Sequence, residues 1–215
     1  QLNENETENF KDNIKVINNP VLPSGFKCED TNISNDKWMR DKSLKVILGV
    51  GRLCQSKRFD ILLRAFKIVY EEKKEVRLII CGQGVEGEKL KILSKELKIS
   101  DKVSFKGFCN DPYPYFKSAD IFCLSSNHEG FGNVLFEAMA FGTKIVTTNC
   151  RGGPRSVLGN NKYIDFAPIN DPEKLAESIL RSFYLPSPSP YLKKEALKYT
   201  SDKISDIYLK EILNA

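Results

Sequence analysis

Apolar residues in this chain fall into short continuous runs separated by segments of helical periodicity, and the alternation becomes regular from Leu44 onward. Residues 44–50 read as a buried strand and 59–70 as a helix with apolar positions three and four apart. The pattern repeats with strand 76–81 and helix 88–97, strand 103–106 and a short helix over 113–118, then strand 121–124 and helix 133–141. Residues 144–147 and 163–166 read as further short strands, and 171–183, 190–199 and 201–213 as helices. Asp171-Pro172 supplies an N-cap followed by proline at the first helical position. Upstream, residues 1–13 are polar and read as frayed. Residues 14–21 read as a strand stopped by Pro20, and the charged stretch 27–42 as a linker anchored by Trp38.

Continuous apolar strands alternating with helices imply an α/β fold, a parallel sheet covered by helices on both faces. Ligands of such sheets bind outside the carboxyl ends of the strands. Five predicted loops at that edge carry glycine or charge: Gly51-Arg52-Leu53 with Lys57, Gly82 and Gly84, Gly107-Phe108, Glu129 to Asn133, and Arg151-Gly152-Gly153-Pro154.

The stretch from Ser125 to Gly142 holds the most chemistry. A buried strand leads into the turn Glu129-Gly130-Phe131-Gly132 and then into the helix that starts at Asn133. A glycine turn opening a helix offers free amides and a positive dipole end to an anion. Glu129 and Glu137 bracket this turn and would repel an anion they faced, but carboxylates accept hydrogen bonds from hydroxyl groups. A phosphate with hydroxyl-rich groups on both sides describes a nucleotide-sugar. Glu137 sits among Leu135, Phe136, Ala138 and Met139, so its carboxylate is partly buried and needs partners. Arg52 and Lys57 lie in one loop and could clamp two phosphate groups, one as a planar fork and one as a point charge. The segment Gly82-Gln83-Gly84-Val85-Glu86-Gly87 spells G-x-G-x-x-G, but it follows the second strand of the alternation and lacks an acidic residue closing the next strand. It reads as a glycine turn. His128, the only histidine, reads as an exposed loop residue over a general base, and Asp120 as a cap with no carboxylate at metal-binding spacing.

Bulk properties narrow the field. No apolar run approaches the length of a membrane span, and the polar start Gln1-Leu2-Asn3-Glu4 is unlike a signal peptide. The first residue is not methionine, so a piece of a longer protein is expected. The six cysteines form no C-x-x-C pair, which argues against a zinc site or disulfide framework and for a reducing cytosol. The net charge of +5 is dispersed rather than gathered in a basic stripe, so no nucleic-acid partner is expected.

Five features, namely the Glu129–Glu137 segment, the Gly51-Arg52-Leu53 to Lys57 loop, Gly82-x-Gly84, Val103-x-Phe105-x-Gly107-Phe108 and the Asp171-Pro172-Glu173-Lys174-Leu175 helix, resemble the C-terminal half of a retaining family 4 glycosyltransferase of the GT-B fold. The resemblance implies that residues 44–215 form a Rossmann-like domain binding a nucleoside diphosphate sugar, that 14–43 are an interdomain strand and linker, and that an N-terminal acceptor domain is absent from this chain. It implies that Arg52 and Lys57 neutralise the diphosphate, with Gly51 beside them, and that the turn Gly130-Phe131-Gly132 and the amides of Gly132, Asn133 and Val134 hold the same group. Glu137 would bind ribose hydroxyls, Glu129 the transferred sugar, and Phe108 and Cys109 the base; Glu129, Arg52 and Lys57 would be the catalytic set. It implies hexosyl or N-acetylhexosaminyl transfer with retention, to a glycan or lipid-linked acceptor, without metal or other cofactor. The loop Asn149-Cys150-Arg151-Gly152-Gly153-Pro154-Arg155 is similar to versions in bacterial enzymes that build surface glycans such as lipopolysaccharide, which favours a UDP-sugar. The expected location is cytoplasmic, peripheral on the inner face of the membrane for the whole protein. Arg58 departs from the family, which commonly has glycine there. The alternatives are a non-catalytic nucleotide-sugar-binding module and an NAD-binding dehydrogenase domain built on the Gly82 motif.

Overall fold

The computed structural model describes residues 15–159, 163–187 and 189–213; the expectation for residues 1–13 lies outside them. In chain order its strands are β1 (Lys45–Val50), β2 (Val76–Cys81), β3 (Val103–Gly107), β4 (Ile121–Leu124), β5 (His128–Glu129), β6 (Lys144–Thr148), β7 (Arg151–Gly152) and β8 (Ile164–Ala167). Six of them form an all-parallel sheet in the order β3-β2-β1-β4-β6-β8, while β5 and β7 pair as a separate parallel ladder. The helices are α1 (Lys37–Arg40), α2 (Phe59–Glu72), α3 (Gly87–Glu96), α4 (Tyr113–Ser118), α5 (Asn133–Phe141), α6 (Gly153–Leu158), α7 (Pro172–Tyr184), α8 (Ser189–Ala196) and α9 (Ser201–Leu213). The chain winds outward from β1 to β3, then returns to β4 on the other side of β1. Loops leaving β1 and β4 therefore diverge and open a crevice at the carboxyl edge.

The central strands β1, β2, β4 and β6 each feed two cores. Ile47, Leu78, Ile80, Ile121, Cys123 and Val146 pack under Leu62, Phe66, Leu90, Leu175 and Ile179 from α2, α3 and α7. Their neighbours Val46, Leu48, Ile79, Phe122, Leu124 and Ile145 pack under Phe116, Leu135, Phe136, Met139 and Leu192 from α4, α5 and α8. Burial on both faces is why the strands read as unbroken apolar runs.

The N-terminal segment departs from expectation. Ile14 lies outside the described residues, and 15–21 form no strand; an isolated parallel bridge joins Leu22 to Thr200 instead. Pro20 has no N–H to donate, and the two donors that follow it, Val21 N and Leu22 N, share Tyr199 O. Nor do residues 27–42 run as a linker. Leu22 and Cys28 belong to the second core, with Phe26 and Trp38 packed against it. Asp36 caps α1 through Trp38 N at 2.9 Å and pairs with Lys106 at 2.5 Å. The Lys117 ammonium is tied to the carbonyls of Cys28, Glu29 and Thr31.

At the opposite end of the chain, α9 buries only Ile204 and leaves Ile207, Tyr208, Leu209, Ile212 and Leu213 exposed. Among the described residues no helix is long and apolar enough to cross a membrane.

The glycines of the G-x-G segment serve backbone contact. A Cβ on Gly82 would sit 1.8 Å from Gly51 O, and one on Gly84 2.3 Å from Leu53 O. This proximity lets Gly51 N donate to Cys81 O at 3.0 Å and Leu53 N to Gln83 O at 2.9 Å. Gly82→Ala is therefore expected to cost at least about 3 kcal/mol in chemical denaturation, since backbone must separate from backbone. Gly107→Ala, where φ is also positive but nothing lies within 4 Å of a new Cβ, should cost only about 1–2 kcal/mol. Equal losses would refute the close-approach explanation.

Candidate active site

The loop after β1 and the loop after β4 are latched together across the crevice. Ser125 Oγ donates to Lys57 O at 2.9 Å, and Asn127 N to Ser56 O at 2.9 Å. The first loop ends in a 3-10 turn, Gln55–Lys57, followed by Arg58 in the left-handed conformation (φ 48°, ψ 46°). Glycine would hold this geometry without cost. Arg58 holds it while its guanidinium forks onto Asp60, at 2.9 and 2.8 Å. The turn delivers Lys57 to Glu129: Nζ lies 2.5 Å from Oε1, and Ser126 Oγ donates to the same oxygen at 2.5 Å.

Glu129 is only 7 % exposed. A carboxylate so placed requires a counter-charge and hydrogen bonds, and Lys57 and Ser126 supply them. Its backbone is fixed by the β5–β7 ladder, in which Glu129 pairs with Gly152. A Cβ on Gly152 would stand 1.8 Å from Glu129 O, so only glycine permits this approach. Thr148 Oγ1 donates to Ser126 O and closes the floor.

Beyond the pair, Gly132 adopts a left-handed conformation (φ 78°, ψ 48°) and turns the chain into α5, with no side chain capping the helix. The amides of Asn133 and Val134 are thus open to an anion, while Leu135 N already donates to Gly132 O at 2.9 Å. One turn on, Glu137 carries no hydrogen bond from any described residue. Burial pushes its carboxyl up to about 7 from the ordinary 4.5. Tyr113 on α4 is near enough to feel that charge, and its own hydroxyl is raised first by burial and then by Glu137.

A cavity of about 340 Å³ opens at the ends of β1, β2 and β3, lined by Val50, Gly51, Arg52, Cys81, Gly82, Gln83, Phe108 and Cys109. A larger hollow of about 490 Å³ touches Lys144 and Ile164 at the amino ends of β6 and β8, on the opposite edge of the sheet.

The predicted residues thus sort into groups. Lys57 meets Glu129, while Arg52, on the same loop, lines the cavity with Gly51, Phe108 and Cys109. Gly130, Gly132, Asn133 and Val134 form the turn and first helical residues between the two glutamates. The Phe131 ring stacks inward on Phe136 at 4.9 Å and against Tyr199 at 5.9 Å. His128 is exposed beside its ladder partner Arg151. Asp120 holds β1 to β4 by accepting from Val46 N and pairing with Lys45, each at 2.9 Å. Thr148 escaped the sequence reading, and Ser125, Ser126 and Gly152 fell inside segments it singled out without being given a role of their own. The visible signal was a polar pair ending each of two apolar runs, Ser125-Ser126 and Thr147-Thr148.

A Rossmann-like sheet with a charged crevice at its switch point is one half of a GT-B fold, and residues 30–198 match the family described as Glycosyl transferases group 1. The chain belongs to that family. It is 34 % identical over 163 residues to the N-acetylgalactosamine-N,N'-diacetylbacillosaminyl-diphospho-undecaprenol 4-alpha-N-acetylgalactosaminyltransferase of Campylobacter jejuni, covering 72 % of this chain and 44 % of the relative. Among solved structures it superposes on a glycosyltransferase from Rickettsia africae with a TM-score of 0.79 at 19 % identity, over 95 % of this chain and 59 % of that one. It superposes on a point mutant of S. aureus TarM, crystallised with fondaparinux, alpha-GlcNAc-glycerol and UDP, with a TM-score of 0.73 at 19 % identity, over 98 % and 42 %. The chain spans about half the length of these proteins.

Proposed function

We propose that this chain is the donor-binding half of a retaining glycosyltransferase that moves a hexosyl or N-acetylhexosaminyl unit from a nucleoside diphosphate sugar, with UDP-sugars favoured, to a glycan or lipid-linked acceptor. The observation that carries this reading is the buried Lys57–Glu129 pair, latched across the switch point beside the uncapped start of α5. Lys57, Arg52 and the amides of Gly132, Asn133 and Val134 meet the negative charge that builds on the departing diphosphate. These cations perform that neutralisation in place of a metal ion. Glu129 accepts from hydroxyls of the transferred sugar, Glu137 from the ribose, and the cavity by Phe108 and Cys109 receives the base.

The UDP in the TarM crystal supports the choice of nucleotide, and the lipid-diphosphate acceptor in the Campylobacter relative's name supports the acceptor class. We assign acceptor binding to an N-terminal domain outside this chain. The apolar residues exposed on α9 suit packing against such a domain, and the whole enzyme would work at the cytoplasmic face of a membrane. The dehydrogenase alternative loses its basis, because Gly82 and Gly84 are needed where they are for contact with Gly51 and Leu53.

Calorimetric titration of this chain with UDP, GDP, ADP and NAD tests the reading. Saturable binding of UDP is expected; binding of NAD alone would overturn the assignment.

A further inference from the structure

Cys81 and Cys109 stand at the base end of the same cleft, and the scheme makes no use of their thiol chemistry. The ladder between β2 and β3 shifts after Ile80, so that Gly107 rather than Lys106 stands opposite Cys81. Gly107 has φ +71°, a left-handed conformation that glycine adopts readily, and the chain turns there. Gly82 N donates to Gly107 O at 2.7 Å and ties the turn to the end of β2. The turn brings Cys109 back onto Cys81. Its Sγ lies 3.8 Å from the carbonyl of Gly107, the residue opposite Cys81 in the ladder, and the Cys109 thiol is near enough to add to the upward push that burial gives the Cys81 thiol. Cys81 is 1 % exposed and Cys109 is partly exposed. Both line the 340 Å³ cavity with Arg52, Gln83 and Phe108, and neither is in a disulfide.

We propose that Cys81 and Cys109 form an oxidisable dithiol that closes to an intrachain disulfide under hydrogen peroxide and shuts the base end of the donor cleft. This regulation rests on the donor-binding reading given above. The accessible Cys109 sulfur attacks the peroxide O–O bond and becomes a sulfenic acid, its thiol proton leaving with the second oxygen as one water. The Cys81 sulfur then attacks Cys109 Sγ, the S–S bond forms, and the sulfenic hydroxyl departs with the Cys81 proton as a second water. Two thiols are oxidised and one peroxide is reduced. Burial raises the Cys81 thiol well above its ordinary value, which keeps it protonated and directs peroxide to Cys109. A disulfide holds its sulfurs about 2.05 Å apart, closer than thiols in contact. Closure therefore draws Cys109 and the adjoining Phe108 onto the end of β2 and narrows the cavity.

The test treats the reduced protein with hydrogen peroxide, maps its disulfides by mass spectrometry, and titrates UDP before oxidation, after it, and after dithiothreitol. A Cys81–Cys109 linkage is expected, with UDP affinity lowered about tenfold or more, equivalent to the loss of one good contact, and restored by the reductant. Cys81→Ser and Cys109→Ser should each abolish the oxidised-against-reduced difference, whatever their own starting affinity. Absence of the linkage overturns the proposal, as does a linkage that leaves UDP affinity unchanged. A reduced protein that binds no nucleotide at all refutes the donor reading instead, and the disulfide map still decides the dithiol chemistry on its own.

Discussion

Lys57→Ala in the full-length enzyme is expected to lower kcat by about 10²–10³-fold, the loss typical for removing one preorganised group from developing negative charge. Lys57 approaches Glu129 to 2.5 Å and is itself mostly shielded, with 18 % of its side chain exposed. Shielding strengthens its field on a diphosphate and also makes Glu129 depend on it. The substitution thus has two consequences that must be separated. It removes transition-state charge stabilisation, and it leaves Glu129 with Ser126 Oγ as its remaining side-chain donor. The second consequence should cost this chain about 1–3 kcal/mol in thermal or chemical unfolding. Adding Glu129→Gln to Lys57→Ala removes the unpaired charge, while the amide oxygen can still accept from Ser126. The double variant should therefore regain most of the stability and none of the rate. A Lys57→Ala enzyme with kcat unchanged would refute the assigned role. Rate recovery in the double variant would show that the lysine acts only as a structural counter-ion.

The sheet was legible because burial on both faces leaves a simple mark. The helix bounds at Tyr113–Ser118, Asn133–Phe141 and Ser201–Leu213 and the strand at Ile121–Leu124 follow directly from apolar runs bounded by polar or glycine residues. The N-terminal segment was misread because its order comes from distant partners. Asp36 and Lys106 find each other across the sheet edge, and Leu22 is buried through contacts with the far end of the chain. A local window sees only charge there, and charge reads as solvent-facing. The site shows the same division. Gly132 at the start of α5 and the unease of a carboxylate at Glu137 could be seen in the pattern. The separation of Lys57 from Arg52 could not, since Lys57 is claimed by a residue 72 positions away. At Arg58 the resemblance carried information that the residue itself hid. A family glycine marks a left-handed position, and arginine occupies it here with φ 48°.

Nucleotide affinity of this chain is expected to rise with pH up to about pH 7 and then level off, through Glu137. In the free protein burial holds its carboxyl at about 7, against 4.5 for an ordinary glutamate, with the Tyr113 hydroxyl as the facing titratable group. Because the folded value is the higher one, the folded chain retains a proton that the unfolded chain releases. Stability is therefore fullest below 4.5, falls as pH rises from there to about 7, and is flat above. The loss is on the order of 3 kcal/mol at about 1.36 kcal/mol per pKa unit. Ribose hydroxyls donating to the carboxylate reverse the preference, since they stabilise the charged form. Binding near pH 6 must then expel a proton, and binding near pH 8 need not. Calorimetry in two buffers of different ionisation enthalpy reads that proton directly. Glu137→Gln should stabilise the free protein above neutrality by an amount approaching that loss, while weakening UDP and abolishing the proton release in excess of the nucleotide's own. If the wild-type protein and Glu137→Gln release the same number of protons at pH 6, the carboxyl does not meet the ribose. If Glu137→Gln fails to raise stability at pH 8, the carboxyl is not held protonated by burial, and its place in the cleft requires another explanation.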